Sequence, residues 1–284
     1  MKPDMTLAEL LGWDGTVRLR ADLHCHSTLS DGSFTSEELI DQAQEATLTH
    51  LAITNHDTTQ GINDAKQYAQ DSSVTFVGGI EISAWDPKRE RKVHVLGLGL
   101  EEDSPAIAAL CDPLLTRRSA NTAWQKSRLQ EAGYIFNEEL LNRLETCSTG
   151  LYKQHLMAAL TAAPFTSDEY QTLYKSLFKG SGICNRDITY VDMRDAVRAI
   201  CEDCGVAVLA HPGQLKSYEA VPELVDAGLW GIECFHPDHL VDDHKLCEEL
   251  ALRFGLECTG GSDFHGAFGN VERLGQCMLE RTLS

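Results

Sequence analysis

The chain has 284 residues, 43 of them acidic and 24 basic, which gives a formal net charge of −19 at pH 7. A charge of this size repels long polyanions and argues against binding of long duplex nucleic acid, although a small or short phosphorylated ligand stays compatible when metal ions supply positive charge. Apolar runs are short, so we expect no membrane segment. Residues 1–13 do not resemble a secretory leader, so we expect a cytoplasmic location and free thiols at the ten cysteines.

The first predicted strand carries two histidines, His24 and His26, separated by one residue. On an extended strand both imidazoles project to the same side, where they can bind one cation. Asp31 follows in a loop marked by Ser30 and Gly32, and its carboxylate could reach a second cation, a pattern that suggests hydrolysis. Two structural histidines are the alternative interpretation, and the residues downstream decide between them.

Strands and helices alternate in the first and last thirds of the chain. Up to residue 100 we predict helices at 36–47 and 62–70 and further strands at 51–54, 74–80 and 92–97. After residue 189 we predict helices at 192–204, 222–227 and 243–254 and strands at 206–210, 231–234 and 256–259. Residues 101–189 contain predicted helices without a convincing buried strand, so we interpret them as an inserted helical lid between barrel segments 1–100 and 190–284.

Seven predicted strands indicate an α/β barrel whose strand ends share one rim, which is where barrel enzymes place their chemistry. Each side chain that we expect there has a structural interpretation of its own, but together they favour a metal cluster. The potential ligands are His24, His26, Asp31, His56, Glu81, His94, His211, Asp263 and His265. Imidazole and carboxylate ligands without a thiolate favour Mn²⁺, Fe²⁺ or Zn²⁺.

The ordered motifs at these positions resemble those of the PHP (polymerase and histidinol phosphatase) superfamily of metal-dependent phosphoesterases. The motifs are His24-Cys25-His26, Asp31-Gly32, Thr54-Asn55-His56-Asp57, Glu81-Ile82-Ser83, His94-Val95-Leu96-Gly97, Ala210-His211-Pro212 and Ser262-Asp263-Phe264-His265. The insertion between His94 and His211 further resembles the branch of nucleoside 3′,5′-bisphosphate phosphatases and 5′→3′ exoribonucleases. This resemblance implies a distorted seven-stranded (β/α)7 TIM-like barrel with two or three divalent transition-metal ions.

The resemblance also implies a division of the ligands among the ions. The first ion would take His24, His26, Glu81 and Asp263, the second Glu81, His94 and His211, and the third Asp31, His56 and His265. Such ions would lower the pKa of a bridging water that attacks phosphorus. We expect His236 either to protonate the leaving oxygen or bind phosphate, or to form a hydrogen bond to a ligand, and Asp57 has the same ambiguity.

One face of the long predicted helix in the insertion carries residues suited to clamp a second phosphate and stack a base: Arg117, Asn121, Trp124 and Arg128. The alternative is a solvated basic face with Trp124 packed on the barrel. His155 is a further candidate for substrate binding, at a segment where the branch typically has an Arg-x-His signature. Here Tyr152 or Lys153 stands nearby instead, so the phosphate contact of the insertion stays open.

We therefore expect a metal-dependent phosphoesterase that hydrolyses terminal phosphate esters of nucleotides, such as 3′,5′-bisphosphates, or of short oligoribonucleotides. The alternatives are another PHP phosphatase, such as one for histidinol phosphate, and a catalytically silent regulatory module. The silent module is disfavoured because buried carboxylates or imidazoles without a metal would cost stability. We expect a monomer whose partner is a small phosphorylated substrate, a nucleotide or a short RNA.

Overall fold

One mixed sheet organises the protein, whose computed structural model describes residues 3–282. The strands are β1 (Leu19–Asp22), β2 (His50–Ile53), β3 (Thr75–Asp86), β4 (Arg91–Leu98), β5 (Val191–Asp192), β6 (Val206–Leu209), β7 (Gly231–Phe235), β8 (Glu257–Gly260) and β9 (Leu279–Arg281). Their order is β8-β7-β6-β4-β3-β2-β1-β9, with β5 beside β3. The sheet is a nearly closed barrel, since the N–H of Leu23, just after β1, donates to the carbonyl of Gly260 in β8 at 3.1 Å.

The predicted repeat of seven strand–helix units differs from the observed sheet. Strands β3 and β4 form an antiparallel hairpin, and β4 is also antiparallel to β6. Residues 87–90 between the two strands of the hairpin are too few for the crossover helix that parallel strands require. Short strands β5 and β9 also extend the sheet, so its described part contains more strands than the seven that we predicted.

Helices surround the sheet and form most of the insertion. They are α1 (Leu7–Leu11), α2 (Ser36–Glu45), α3 (Ile62–Tyr68), α4 (Pro105–Glu131), α5 (Glu138–Cys147), α6 (Lys153–Leu160), α7 (Asp168–Phe178), α8 (Met193–Glu202), α9 (Pro212–Leu215), α10 (Val221–Ala227) and α11 (Val241–Phe254). Helix α2 begins at Ser36, as predicted, and Thr35 is its N-cap, because the Thr35 hydroxyl and the Glu38 carboxylate form a reciprocal capping box.

Apolar side chains of the sheet pack against this helical layer. The largest buried cluster joins Val95 and Leu209 of neighbouring strands to Ile200 of α8 and to Ile107 in the first half of α4. A second sheet face packs around Trp230, which is fully buried. Burial of these apolar surfaces is the main stabilising contribution to the barrel.

The inserted segment, residues 101–189, has an apolar cluster of its own. Leu129 near the end of α4 packs there with Leu141 of α5, Leu156 of α6 and Leu177 of α7. Helix α4 thus contacts the barrel with its first half and the insertion with its second. The division into barrel segments 1–100 and 190–284 and a lid at 101–189 stays a prediction.

Two expectations about the whole chain concern membrane helices and thiols. Among residues 3–282, no helix has both the length and the hydrophobicity to cross a bilayer. All ten cysteines lie in this range and are free, as predicted.

Candidate active site

Two histidines and two carboxylates meet beyond the ends of β1 and β8. The Nε2 atom of His26 lies 3.2 Å from both Glu81 Oε2 and Asp263 Oδ1. The Nε2 atom of His24 lies 3.4 Å from the same two oxygens. One ligand atom from each of these residues therefore faces a common point, with all four atoms within 4.8 Å of one another.

Glu81 faces a second group of histidines with its other oxygen. Its Oε1 atom lies 2.7 Å from His94 Nδ1 and 2.9 Å from His211 Nε2. Its Oε2 atom, on the side of the first group, also lies 3.2 Å from His56 Nδ1. A carboxylate with one oxygen on each side can hold two cations a few ångströms apart.

A third group surrounds Asp31. Its Oδ1 atom lies 3.4 Å from His265 Nε2 and 3.8 Å from His26 Nδ1, and its Oδ2 atom lies 3.8 Å from His56 Nε2. The nine ligand residues of the sequence analysis thus converge in one cluster, and His26 connects the first group to the third.

Backbone hydrogen bonds beyond the strand ends place these side chains. Strand β1 ends before His24, so the two histidines follow the strand instead of lying on it. The N–H of His26 donates to the carbonyl of Phe264 at 2.9 Å, and the N–H of Asp263 donates to the carbonyl of His24 at 2.8 Å. Cys25 points away from the cluster, as predicted, and its thiol donates to a carbonyl in the apolar interior.

Glu81 and His94 lie inside the two strands of the β3–β4 hairpin. This corrects the prediction that all ligands lie at strand ends on one rim of the barrel. His94 is paired with Ser83, two residues after Glu81, so alternation places Glu81 and His94 on the same face. Glu81 is also fixed to the segment after β2, since its N–H donates to the Asn55 carbonyl and its carbonyl accepts from the Asp57 N–H.

Three residues at the cluster have a positive φ, which L-residues rarely adopt. The angles are +59° at Asp57, +23° at His211 and +51° at Asp263. Such backbone conformations cost free energy and persist where surrounding contacts hold them, typically at functional sites.

Buried nitrogen atoms without hydrogen bonds show that the cluster fits metal ions. Among the described residues, His24 Nε2, His56 Nδ1 and both ring nitrogens of His26 are buried and have no hydrogen-bond partner. A buried polar atom without a partner is costly, whereas an imidazole lone pair directed at a cation is satisfied. The mixed nitrogen and oxygen donor set suits divalent transition metals.

The carboxylates of the cluster are held in their ionised form. Burial alone would raise the pKa of Glu81, but His56, His94 and His24 hold that pKa well below its ordinary value. Burial is also outweighed at Asp263 and Asp31, where adjacent imidazoles lower the pKa of each carboxyl. Ionised carboxylates are the form that binds metal.

The sequence analysis missed Glu233, which is fully buried in β7. Its Oε1 atom lies 3.1 Å from His24 Nδ1, and its Oε2 atom accepts the backbone N–H of His211 at 2.7 Å. A carboxylate on the far nitrogen of a ligand histidine fixes the orientation of that imidazole. A glutamate inside an otherwise apolar strand was the available sequence signal.

Two cavities adjoin the cluster. One, of about 320 Å³, is lined by residues of the cluster itself, among them Glu81, His211 and Asp263. The other, of about 440 Å³, extends from the cluster towards the inserted segment. The two cavities share four wall residues: His56, His94, Gln154 and Gln214.

Comparison with known proteins places the chain in a family. The family model of the PHP domain matches residues 22–186, more than half of the chain. The chain belongs to the PHP family. The predicted resemblance is therefore confirmed, and the chain is a hydrolase of the PHP metal-dependent phosphoesterases, as we predicted.

Proteins that are similar to this chain along nearly its whole length are named for different substrates. A phosphoribosyl 1,2-cyclic phosphate 1,2-diphosphodiesterase of Eggerthella lenta is 59% identical over 254 residues, which are 89% of this chain and 97% of the relative. A 3′,5′-nucleoside bisphosphate phosphatase of Chromobacterium violaceum is 31% identical and covers 86% of each chain. A crystal structure described as a metal-dependent phosphoesterase of Bifidobacterium adolescentis aligns with a TM-score of 0.80 at 26% identity, over 89% of this chain and 91% of that one.

His236 lies beside the PHP metal-ligand cluster and is almost fully buried. Its Nε2 atom lies 3.4 Å from Asp263 Oδ2. This contact favours the interpretation of His236 as a hydrogen-bond partner of a ligand.

Both oxygens of Asp57 are occupied by hydrogen bonds. Its Oδ1 atom accepts the backbone N–H of Ser83 at 2.7 Å, and its Oδ2 atom is paired with the guanidinium of Arg118. Arg118 also donates to the Ser83 hydroxyl at 2.9 Å. Asp57 therefore holds Arg118 at the wall of the larger cavity.

The structure does not bring Arg117 or Arg128 to either of the two cavities. Arg117 donates to the Thr189 carbonyl at 2.9 Å, and Arg128 is paired with Glu131 on the exposed side of α4. Of the basic residues on this helix, Arg118 lines the larger cavity. A role of Arg117 and Arg128 in substrate binding stays a prediction.

Asn121 and Trp124 contact Arg186 of the same inserted segment. The Asn121 amide oxygen accepts from Arg186 Nε at 2.6 Å, and the Arg186 guanidinium lies 4.0 Å from the centre of the Trp124 ring. Asn121 also lines the larger cavity, whereas Trp124 lines neither cavity. Trp124 thus contacts another residue of the inserted segment, and stacking of a base on it stays a prediction.

His155 is buried against the rings of Tyr152 and Phe268 and lines neither of the two cavities. Burial lowers the pKa of His155 to about 4, although Asp31 opposes this shift. The imidazole is therefore neutral near pH 7 and accepts the backbone N–H of Tyr152 at 3.4 Å.

Proposed function

We propose that this enzyme hydrolyses a cyclic phosphate ester of a phosphorylated ribose, of the type phosphoribosyl 1,2-cyclic phosphate. The observation that carries the proposal is the convergence of the nine metal-ligand side chains in one cluster, in which Glu81 belongs to two of the three groups. The Eggerthella lenta relative supports the choice of substrate, because it shares 59% of its residues with this chain over 97% of its own length. This proposal revises the nucleotide or short RNA that we expected from the sequence.

We propose that the three groups of ligands hold two or three divalent transition-metal ions. The first group is His24, His26, Glu81 and Asp263, the second is Glu81, His94 and His211, and the third is Asp31, His56 and His265 together with His26. Divalent ions bound there would activate water at neutral pH and offset the charge of the phosphoryl oxygens.

The protein side chains around the ligands have positioning roles in this proposal. Glu233 orients His24 and fixes the backbone of His211. His236 holds Asp263 through its Nε2 atom, and Asp57 holds Arg118 at the wall of the larger cavity. A catalytic role of His236 or Asp57 as a proton donor stays a prediction, as do the monomeric state and the cytoplasmic location.

A comparison of substrates tests the proposal. The purified protein with added Mn²⁺ is incubated separately with phosphoribosyl 1,2-cyclic phosphate, a nucleoside 3′,5′-bisphosphate, a short RNA and histidinol phosphate, and the reactions are followed by ³¹P NMR. We expect the highest kcat/KM on the cyclic phosphate. A higher value on another substrate would replace the proposed substrate, and no turnover of any of them would favour the silent module.

A further inference from the structure

The larger cavity collects positive charge in a strongly acidic chain. The basic side chains in its wall are Lys92, Arg118, Lys153 and Lys179. They come from β4, from α4, from the start of α6 and from the residue after α7. The wall of this cavity is thus locally rich in basic residues, although the chain as a whole has a formal net charge of −19.

Two of these cations already have anionic partners. Lys92 lies 2.6 Å from Asp187, and Arg118 is paired with Asp57. The Asp187 carboxylate also accepts a hydrogen bond from the hydroxyl of Tyr190 in the same wall, so it already has two partners.

Among residues 3–282, the ammonium groups of the other two cations, Lys153 and Lys179, have no carboxylate within salt-bridge distance, and the Lys153 ammonium makes no hydrogen bond there. Lys153 is half-buried. Burial lowers the pKa of its ammonium to about 8, with Asp187 opposing and Lys92, Lys179 and Arg118 lowering it further. Lys179 lies 5.8 Å from the centre of the Tyr174 ring. Converging ammonium groups repel one another, and a bound anion would remove that repulsion.

The cationic cavity, defined by Lys92, Arg118, Lys153 and Lys179, is next to the metal-ligand cluster. His56 and His94 belong to the walls of both cavities. The Tyr152 ring lies between the two sites, 5.2 Å from the Arg118 guanidinium and 6.3 Å from the centre of the His56 ring. One small substrate can therefore extend from the cluster into the cationic cavity.

We propose that the cationic cavity binds the second phosphate of a doubly phosphorylated substrate while the ester to be hydrolysed lies at the metal-ligand cluster. This inference rests on the proposed function and adds the residues that select the substrate. A terminal phosphate is close to a dianion at neutral pH, which matches the two unpaired ammonium groups better than a singly charged carboxylate does. Lys153 and Lys179 bind this phosphate, and Arg118, held by Asp57, lines the path to it.

The test compares two substrates that differ only in the second phosphate: phosphoribosyl 1,2-cyclic phosphate and ribose 1,2-cyclic phosphate. We expect Lys153→Met and Lys179→Met each to lower kcat/KM on the first by about ten- to a hundredfold, the effect of losing one charge-assisted hydrogen bond. On the second substrate we expect both variants to resemble the wild type. Lys153→Arg keeps the charge and should retain most of the activity on the first substrate.

Lys175→Met is the matched control, because Lys175 is exposed on α7, one turn before Lys179, and does not line the cationic cavity. Binding of ribose 5-phosphate to chelator-treated protein, measured by calorimetry, gives a readout without catalysis. We expect binding by the wild type and by Lys175→Met and its loss in Lys153→Met, with circular dichroism verifying the fold.

Equal losses on both substrates, or no loss on either, would overturn the assignment of the cationic cavity. No binding of ribose 5-phosphate by the folded wild type would also overturn it. If the wild type hydrolyses neither cyclic phosphate but still binds ribose 5-phosphate through Lys153, the proposed function fails and the phosphate site stands.

Discussion

Glu233 shows how a single buried carboxylate can control the candidate site without belonging to the predicted ligands. It accepts from two segments, the ring of His24 after β1 and the backbone of His211 after β6. Both segments lead into ligand groups that contain Glu81. A substitution of Glu233 that removes these contacts therefore disturbs the positions of His24 and His211, which belong to two different groups of ligands.

We expect Glu233→Gln to lower metal affinity by about ten- to a hundredfold, the usual effect of changing a partner of a ligand histidine. The amide has only one oxygen acceptor, so either the His24 ring or the His211 N–H loses its partner. Titration of the apo protein with Mn²⁺ measures the effect. Glu257→Gln, a half-buried glutamate in neighbouring β8, is the control, and unchanged affinity in Glu233→Gln would contradict the positioning role.

Lys153 gives the cationic cavity a pH dependence. Its ammonium is charged below a pKa of about 8 and becomes neutral above it. A terminal phosphate is already a dianion in this range. We therefore expect kcat/KM on phosphoribosyl 1,2-cyclic phosphate to fall as the pH rises through about 8, since this parameter reports the ionisation of the free enzyme.

Other groups facing Lys153 do not account for such a fall. Away from the metal ligands, the charged groups in the cavity wall are Lys92, Arg118, Lys179 and Asp187, and the buried tyrosines are Tyr152, Tyr174 and Tyr190. The ligands Asp31, His56 and His94 also line this wall, but a change at the metal-ligand cluster would affect both cyclic phosphates alike. Burial raises the pKa of each tyrosine above its ordinary value. Burial also acts to raise the pKa of Asp187, but the hydrogen bonds from Lys92 and Tyr190 and the charges of Lys92 and Lys153 together lower it to about 2. The fall should vanish in Lys153→Arg and on ribose 1,2-cyclic phosphate. Its persistence in Lys153→Arg would refute the role of Lys153.

The β3–β4 hairpin shows, at the level of elements, what the sequence could predict. Short apolar runs predicted both strands, and the position of Glu81 at the end of one strand and of His94 on the next marked both as ligand candidates. The direction of β4 was missed because apolar runs do not distinguish parallel from antiparallel pairing. The short connection at residues 87–90 that requires a hairpin became visible only in the structure, because β3 continues to Asp86, beyond its predicted end at residue 80.

Helix α4 shows why the sequence pattern singled out Arg117 and not Arg118, which lines the larger cavity. A shift from Arg117 to Arg118 turns the side chain by about 100° around the helix axis. The helix packs on the barrel through Ile107 and Leu114 and on the insertion through Leu129, so no single apolar stripe defines its inner face. Its rotation is set by tertiary contacts that local sequence does not record.

Asp203 caps the start of α4 from the end of α8. Its carboxylate accepts the backbone N–H groups of Ala106 and Ile107 at 3.1 and 2.8 Å, while the N-cap residue Ser104 makes no side-chain cap. We expect Asp203→Ala to lower the free energy of unfolding by about 1 kcal/mol, as for other lost caps. Urea denaturation measures this, with Glu202→Ala as the exposed control, and equal stability of both variants would show that Asp203 is not the cap.

At the scale of the whole molecule, the candidate ligands range from His24 to His265 and so connect the two ends of the chain. The sequence predicted which residues could bind metal, because motifs rich in histidine and carboxylate residues can be recognised without a structure. The contacts that complete the cluster were not, since the partners of Glu233 and Arg118 are distant in sequence. Metal bound by this cluster would stabilise the folded chain, which alone assembles the site.

Metal content tests the central claim most directly. The wild type and the double variant His24→Ala/His26→Ala are saturated with Mn²⁺, desalted and measured by elemental analysis, with circular dichroism verifying that both are folded. We predict about two or three ions per chain in the wild type, because the carboxylate of Glu81 faces more than one group of ligands, and fewer ions with no phosphoesterase activity in the variant. One ion or none in the folded wild type, or the same content in both proteins, would contradict the account.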